Sequence, residues 1–454
     1  MPPGAAPGHR RSAREVSVCV LPFANMSGDS EQEYFSDGIS EDITTDLSRI
    51  SALSVIARNT AFTFKGQSVN VGEVSRKLGV SHVLEGSVRK AGGRVRVTAQ
   101  LIDGTSGDHL WAERYDRDLD DIFAIQDEIS KAIVAALKLK LLPEEKKAIE
   151  QRGTLSAQAY NLFLLARQYW VTGNHGDIRR EERVMRICSR AVEIDPQYAR
   201  AWALLANAQS NLRYTFGCEI DDGFAAAHAA LSIDPTIAEA HCAMARRLEE
   251  QGCSAEAVAE IETALQLEPD SWEVNKEAAR IFLAGKRIDD ALLHYGKAAT
   301  LMESDFHAWA MIATCAREQR DDKRVRQAAQ MMVSQSQKAI EQDPSNGAAL
   351  GILAGGLAIL GERERANEMI ERALLIDPDN SKMRYNFACV LANYLDEKDE
   401  AIRLLATTLP FANRELVVGA AVDPDMDPLR SDPRFAAALE RAQKRWGIET
   451  AERA

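Results

Sequence analysis

The sequence predicts an α+β amino-terminal domain followed by an all-α superhelical solenoid built from repeated helix pairs. Three observations predict this organisation. Short apolar strands alternate with amphipathic helices over residues 15–140. A pattern punctuated by proline then recurs at a constant interval along the rest of the chain. The chain of 454 residues is also longer than one hydrophobic core usually organises, so we expect more than one domain.

The amino-terminal domain is predicted in the order β-α-β-α-β-β-β-α, as one mixed sheet with helices packed against it. The expected strands are Val16–Phe23, Leu53–Arg58, the hairpin arms Val80–Lys90 and Arg94–Leu101, and His109–Tyr115. The first expected helix is capped by Ser36 or Asp37 and has Ile39, Ile43, Leu47 and Ile50 on its inner face. The second is Val71–Leu78, and the third has Ile122, Ile125, Ile129 and Ile133 on its inner face. In Arg94–Leu101 apolar and polar residues alternate, as in a half-buried strand. The acidic run from Asp116 to Asp121 is interpreted as helix capping.

The second part of the chain repeats one junction motif. The interval from Pro235 to Pro269 equals that from Pro344 to Pro378, and Glu303 takes the proline position one further interval beyond Pro269. Small residues precede each junction and allow close helix packing, and proline then ends the second helix. This spacing resembles the tetratricopeptide repeat, with Trp202, Leu205 and Ala206, then Ala257, Ile261 and Ala264, and then Ala366, Ile370 and Ala373 at its signature positions. Such pairs must stack, because one alone cannot bury its apolar stripe.

These patterns divide the chain into five predicted regions. They are a disordered terminus at 1–14, the α/β domain at 15–140, a charged linker at 141–154, about seven repeat pairs at 155–410, and an Asp-Pro-rich segment with a capping helix at 411–454. The three Asp-Pro steps predict extended backbone, because a residue before proline avoids the helical region.

Composition narrows the class of protein. A net charge of −13 and a pI of about 5.3 argue against a nucleic-acid binder, because phosphate contacts need a basic face. Seven scattered cysteines without a CxxC pair argue against disulfides and zinc, and favour the reducing cytoplasm. No apolar run is long enough to cross a bilayer, so we expect no membrane span.

No catalytic motif stands out. The sequence lacks a P-loop, a GxSxG nucleophile elbow and an HExxH helix. His241 and Cys242 form a lone pair that is more typical of structure than of a metal site. We therefore expect a protein that is not an enzyme and that needs neither cofactor nor metal.

Four strings in the first domain carry a further resemblance. They are LPFANMSGDSEQEYFSDGISEDI from Leu21, SVIARNTAFTFKG from Ser54, LGVSHVLEGSVRK from Leu78, and RVRVTAQLIDGTSGDHLWAERYDRDLDDIFAIQDEI from Arg94. This region resembles the TolB-like amino-terminal domain, which in similar proteins precedes tetratricopeptide repeats and often follows a cyclase or winged-helix output module. The first strand already begins at Val16, so we expect neither an output module nor a membrane helix before it. The resemblance leaves two alternatives, a sensory module of such a system and a periplasmic location.

The tetratricopeptide resemblance also implies a candidate binding groove along the first helix of each pair. Its inward positions are Arg167, Asn207, Arg246, Arg280 and Thr314, with Asn211 and Lys276 on the same face. Arginine binds carboxylates bidentately, so this row predicts an acidic peptide or a C-terminal carboxylate as ligand, and hence a non-enzymatic adaptor. The alternative is that these residues are solvated and paired with Glu249, Glu250 or Glu277.

Overall fold

We analysed a computed structural model of the chain, which describes residues 16–67, 69–139, 141–142, 153–172, 178–216, 218–302, 304–412 and 414–448. The predictions for residues 1–14 and for most of the linker 141–154 fall outside these ranges. The chain divides into two compact units, residues 1–165 and 166–454, and each is described by itself.

The first unit contains one mixed sheet of six strands. The strands are β1 Val16–Val20, β2 Ala24–Asn25, β3 Leu53–Val55, β4 His82–Ala91, β5 Arg94–Asp103 and β6 His109–Asp118. Their order is β3-β1-β4-β5-β6, with β2 also paired to β4. The pairs β1–β3, β1–β4 and β2–β4 are parallel, whereas β4–β5 and β5–β6 are antiparallel. The predicted mixed sheet is thereby confirmed.

Four helices accompany the sheet in the described part of the first unit. They are α1 Glu33–Ser48, α2 Arg58–Phe62, α3 Val71–Leu78 and α4 Ile122–Ala136. The residues predicted to face inward on α1 and α4 are almost fully buried, as are the alternate residues Val95, Val97, Ala99 and Leu101 of β5. Helix α3 ends at Gly79, whose φ of 66° is a left-handed conformation that glycine adopts without strain.

Three local predictions in the first unit were wrong. Helix α1 begins at Glu33, after a 3₁₀ turn capped by Asp29, so Ser36 and Asp37 lie inside the helix and are buried. The predicted strand Leu53–Arg58 ends at Val55, and Arg58 instead begins helix α2, which, like strand β2, is too short to show a period. In the acidic run, Asp116 pairs with Arg94 and Arg96 of β5 rather than capping a helix.

Helix α5 Ala157–Thr172 contains the boundary between the units, which falls after Leu165. Its first residues belong to the first unit. There the Tyr160 hydroxyl donates to Oδ2 of Asp42 at 2.5 Å, and Leu164 fills the space beside Gly38.

The second unit consists of helices in sequential pairs. The helices that follow are α6 Ile178–Ile194, α7 Ala199–Ser210, α8 Phe224–Ile233, α9 Ala238–Glu250, α10 Ser254–Leu267, α11 Trp272–Ala284, α12 Ile288–Leu301, α13 Phe306–Glu318, α14 Asp322–Gln342, α15 Gly347–Leu360, α16 Arg363–Ile376, α17 Ser381–Asn393, α18 Lys398–Thr408, α19 Arg414–Val422 and α20 Pro433–Arg445. The small signature residues Ala257, Ala264, Ala366 and Ala373 are completely buried. The predicted all-α array of helix pairs is confirmed, with pairs following one another as the recurring junctions predict.

Three of the proline junctions share one hydrogen-bond pattern. The carboxylates of Asp195, Asp234 and Asp343 each accept a hydrogen bond from the backbone N–H two residues on, across the intervening proline. The carboxylate gives the N–H of the residue after proline a hydrogen-bond acceptor, and it stabilises the turn that leads into the next first helix. The longer interval before Pro344 extends α14 to 21 residues, against 14 for α10.

The Asp-Pro-rich segment departs in part from its prediction of extended backbone: Asp423 and Asp432 are extended, whereas Asp427 lies within a 3₁₀ helix. Pro424–Leu429 forms a 3₁₀ helix, because the Asp423 side chain caps the N–H of Asp425 and proline is tolerated in a first turn. Asp432 in turn caps α20, where Phe435 and Ala442 are buried. Helix α19 before this segment was not predicted.

Candidate functional site

First helices of successive pairs pack on one another along the second unit, with few contacts between α11 and α13, and the side chains that they expose form a candidate surface. Contacts join α7 to α9, α9 to α11, α13 to α15 and α15 to α17. Asn207, Arg246, Lys276, Arg280 and Thr314 lie on such first helices, Asn211 directly follows α7, and Arg167 lies on α5. We call this surface the first-helix face.

Arg246 and Arg280 meet at a single carboxylate, that of Glu277. Nε and Nη2 of Arg246 lie 3.2 and 2.9 Å from its two oxygens, a bidentate arrangement. Nε and Nη2 of Arg280 lie 2.8 and 2.6 Å from Oε1 of the same residue. Asn211 accepts a hydrogen bond from Nη1 of Arg246. The structure therefore assembles these four residues into one cluster.

Glu277 is held ionised within this cluster. Its side chain is only 13% exposed, so burial opposes the charge. The guanidinium groups of Arg246 and Arg280 outweigh that effect and lower the pKa of the Glu277 carboxyl to about 2. At neutral pH the cluster carries two positive charges and one negative charge.

The other two predicted cations are also paired. Nη1 of Arg167 lies 2.6 Å from Oε1 of Glu273, and Nζ of Lys276 lies 2.8 Å from Oδ2 of Asp305. Asp305 is buried and also accepts from Nε1 of Trp272 at 2.7 Å. Sequence reasoning missed Glu273 and Asp305. Glu273 had one indication, since it lies four residues before Glu277 on the same helix face.

The polar uncharged positions have local roles. Nδ2 of Asn207 donates to the carbonyl oxygens of Ala203 and Glu239 at 3.0 and 3.1 Å, and so joins α7 to α9. Thr314 donates to the carbonyl of Ala310 in its own helix. Arg246 and Arg280 pair with Glu277, one of the three glutamates that the sequence offered as partners.

Other chemistry is sparse in the part of the chain that the structure describes. No group of three or more His, Cys, Asp or Glu residues within those ranges is placed to hold a metal ion. His241 bonds through Nδ1 to Glu260 at 2.6 Å, and Cys242 beside it is buried, as expected for a structural pair. In the same ranges no helix has the length and apolar character needed to cross a bilayer.

Comparison with known sequences finds one informative relative. No family model matches the chain. Over 190 residues it is 53% identical to a protein of Rhizobium meliloti (strain 1021) named "Putative adenylate cyclase 3". The match takes in 42% of this chain and 32% of that protein, so the chain spans about a third of the length of the curated relative it matches.

Comparison with solved structures gives distant likenesses. The chain resembles YrrB, described as a TPR protein with an unusual peptide-binding site, with 23% identity and a TM-score of 0.27 over 42% of this chain and 93% of that one. It resembles a human IFIT1 dimer with PPP-AAAA, with 15% identity and a TM-score of 0.43 over 72% and 79%. TolB from Acinetobacter baumannii matches 27% of this chain and 28% of its own, with 19% identity and a TM-score of 0.21. None of these scores bears on function.

Proposed function

We propose that this chain is a non-enzymatic adaptor that binds a peptide or protein partner on its first-helix face, in a signalling context. The observation that supports this proposal is the stack of helix pairs whose first helices share one face, with Arg246, Glu277 and Arg280 clustered on it. A stacked array of this kind offers a long continuous surface, which suits an extended partner.

The partner's recognised group is, in this proposal, a carboxylate from an acidic side chain or a C-terminus. Glu277 already occupies the forks of Arg246 and Arg280, so a ligand carboxylate would bind by exchange with Glu277. Because Arg280 is 34% exposed, exchange would begin there. Arg167, Asn207, Asn211 and Lys276 would then contact the partner along the same face. Nucleic acid is not the proposed partner, because the chain carries a net charge of −13.

The test is a pull-down from native lysate with the full chain and two matched variants. Arg280→Ala leaves Glu277 with Arg246, so the fold should persist. Arg287→Ala is the control, because Arg287 also pairs with a carboxylate three residues away, Asp290, at the start of a second helix. We expect recovery of the partner to fall at least tenfold in Arg280→Ala alone. Equal recovery from both variants would place the binding surface elsewhere.

A second candidate function is a sensory or regulatory module of an adenylate cyclase or winged-helix system. The 53% identity to a cyclase-named protein favours it. In this reading the first unit is a TolB-like domain, as its four sequence strings suggest. The chain itself should form no cyclic AMP from ATP with Mg²⁺ or Mn²⁺, and the pull-down should recover a separate cyclase or DNA-binding protein. Cyclic AMP formation by the purified chain would contradict both candidates.

We also propose a cytoplasmic location, with the periplasm as the alternative. All seven cysteines are free thiols in the structure. Free thiols persist in a reducing compartment.

A further inference from the structure

The first unit contains a cleft of about 590 Å³ that the adaptor proposal does not use. It lies where the chain leaves β1 at Leu21 and continues after β3 towards Phe64–Gln67. In the sheet, β1 lies between β3 and β4. The chain therefore moves in one direction across the sheet from β1 to β3, and in the opposite direction from β3 to β4. Open α/β sheets bind ligands at such a point, outside the carboxyl ends of the parallel strands.

All four strings that mark the first unit contribute to this cleft. Phe23 and Glu33 come from the first string, Lys65 from the second, Glu85 from the third and Gln100 from the fourth. Gly86 forms part of the wall, because a Cβ there would collide with the carbonyl oxygen of Thr98 and lie 2.8 Å from the Phe23 ring. The volume falls within the range usual for small-molecule sites.

The charges around the cleft do not balance. Nζ of Lys65 lies 3.3 Å from Oε1 of Glu33 and 2.5 Å from Oδ2 of Asp37, so one ammonium group serves two carboxylates. The second oxygen of Asp37 is buried and has no hydrogen-bond partner among the residues that the structure describes. Burial raises the pKa of Asp37, and the opposing effects of Lys65 and Arg58 offset it only in part.

Glu85, on the sheet side, lines the cleft together with Glu33, whereas Asp37 lies behind Lys65 and does not line it. Glu85 lies directly opposite Gln100 in the β4–β5 register and accepts a hydrogen bond from the Gln100 amide. Beside this pair, Ser87 and Thr98 are also opposite each other and line the cleft. Glu85 therefore has a neutral donor on one oxygen, and its other oxygen has no hydrogen-bond partner among the residues that the structure describes.

We propose that this cleft binds a small aliphatic amine, a diamine or polyamine, whose ammonium group sits against Glu85 and whose methylene chain lies along Leu21, Phe23 and Phe64. A cation is the group that such a carboxylate-rich, partly apolar cleft concentrates. The Ser87 and Thr98 hydroxyls would accept from a second ammonium hydrogen. The site lies wholly in the first unit, so it is independent of the first-helix face. It would also give the sensory alternative a ligand.

Isothermal titration calorimetry of the full chain with spermidine and with cadaverine tests the proposal. We expect saturable binding of one amine per chain, at least tenfold weaker in Glu85→Gln, which keeps the shape of the side chain and a partner for Gln100. Glu128→Gln is the matched control, since Glu128 is exposed on α4 and does not line the cleft. It should bind as the wild type does.

Three results would overturn the proposal: no saturable amine binding by the wild type, equal affinity in Glu85→Gln, or equal weakening in Glu128→Gln. Glutarate, a dianion of similar length, should not bind, and tighter binding of glutarate than of cadaverine would also overturn it. The Arg280→Ala variant separates the two proposals, because it should lose the protein partner and still bind the amine.

Discussion

Glu277 shows what spacing along a sequence predicts at the level of one residue and what it does not. Its pairing with Arg280 follows from their separation of three residues on one helix, which is a contact distance. Its bidentate contact with Arg246, on a different helix, depends on how two first helices pack. The same holds for Arg167 and Glu273, which lie still further apart in the sequence.

The ionised state of Glu277 predicts a pH dependence of stability. Its pKa lies at about 2 in the folded protein, below its ordinary value of 4.5, so the unfolded chain takes up the proton first as the pH falls. The stabilisation is therefore complete above about pH 5 and is lost as the pH falls towards 2. Glu277→Gln should lower the free energy of unfolding by about 2 kcal/mol at pH 7, and this gap should shrink by about 1 kcal/mol at pH 4.

Urea unfolding of the wild type and the variant at pH 7, 5 and 4 measures this gap. Glu364→Gln, which changes an exposed glutamate on a second helix, should leave the stability profile unchanged. A gap that stays constant or grows as the pH falls would contradict an ionised Glu277.

At the scale of elements, long periodic segments were predicted and short or composite ones were not. The inner faces of α1 and α4 and the alternation in β5 repeat often enough to be visible. Strand β2 is too short for any alternation, and its pairing with β4 depends on where the chain bends after β1. The 3₁₀ helix Pro424–Leu429 follows a cap by Asp423, whose extended backbone suits both an N-cap and a residue before proline, and the helix then runs through Pro428.

Helix α15 offers a matched pair of glycine substitutions that tests close helix packing. A Cβ on Gly356 would lie 3.1 Å from the Ala329 carbonyl oxygen and 3.0 Å from Cγ2 of Val333, both on α14. A Cβ on Gly351 would lie 3.7 Å from the Phe387 ring, an ordinary contact. Gly351→Ala should raise the free energy of unfolding by about 0.5 to 1 kcal/mol, because alanine favours the helix. Gly356→Ala should lower it by about 1 kcal/mol through overpacking.

Urea midpoints of the two glycine variants, compared with that of the wild type, give the answer directly. Shifts of the same sign and size would mean that α14 and α15 adjust freely, and that the small residue at Gly356 is not needed for their packing.

At the scale of the whole molecule, the seven cysteines are distributed over both units, so their reactivity measures how well each unit is folded. Cys19, Cys188, Cys242 and Cys315 are buried, whereas Cys218, Cys253 and Cys389 are partly exposed. Burial raises the pKa of Cys19 to about 12 and, with a smaller effect of Glu318, that of Cys315 to about 11. Their thiolate fractions are accordingly low at neutral pH.

We therefore expect an aqueous thiol reagent at pH 8 to label the three partly exposed cysteines first, and all seven only after denaturation. The melting temperature should be the same with and without a reductant, because no disulfide joins any pair of the seven cysteines in the structure. Rapid labelling of Cys188 in the native protein, or a melting temperature that falls on reduction, would contradict this arrangement of thiols.

The position of Leu164 against Gly38, and of Tyr160 on Asp42, has a consequence for how such chains can be recombined during evolution. A crossover within residues 141–154 would transfer the sheet without the residues that fill the space at Gly38 and bond to Asp42. The segment that can be exchanged with its hydrophobic core complete therefore ends near Leu165, within helix α5. Domain exchange in this lineage should therefore leave its sequence joins inside α5.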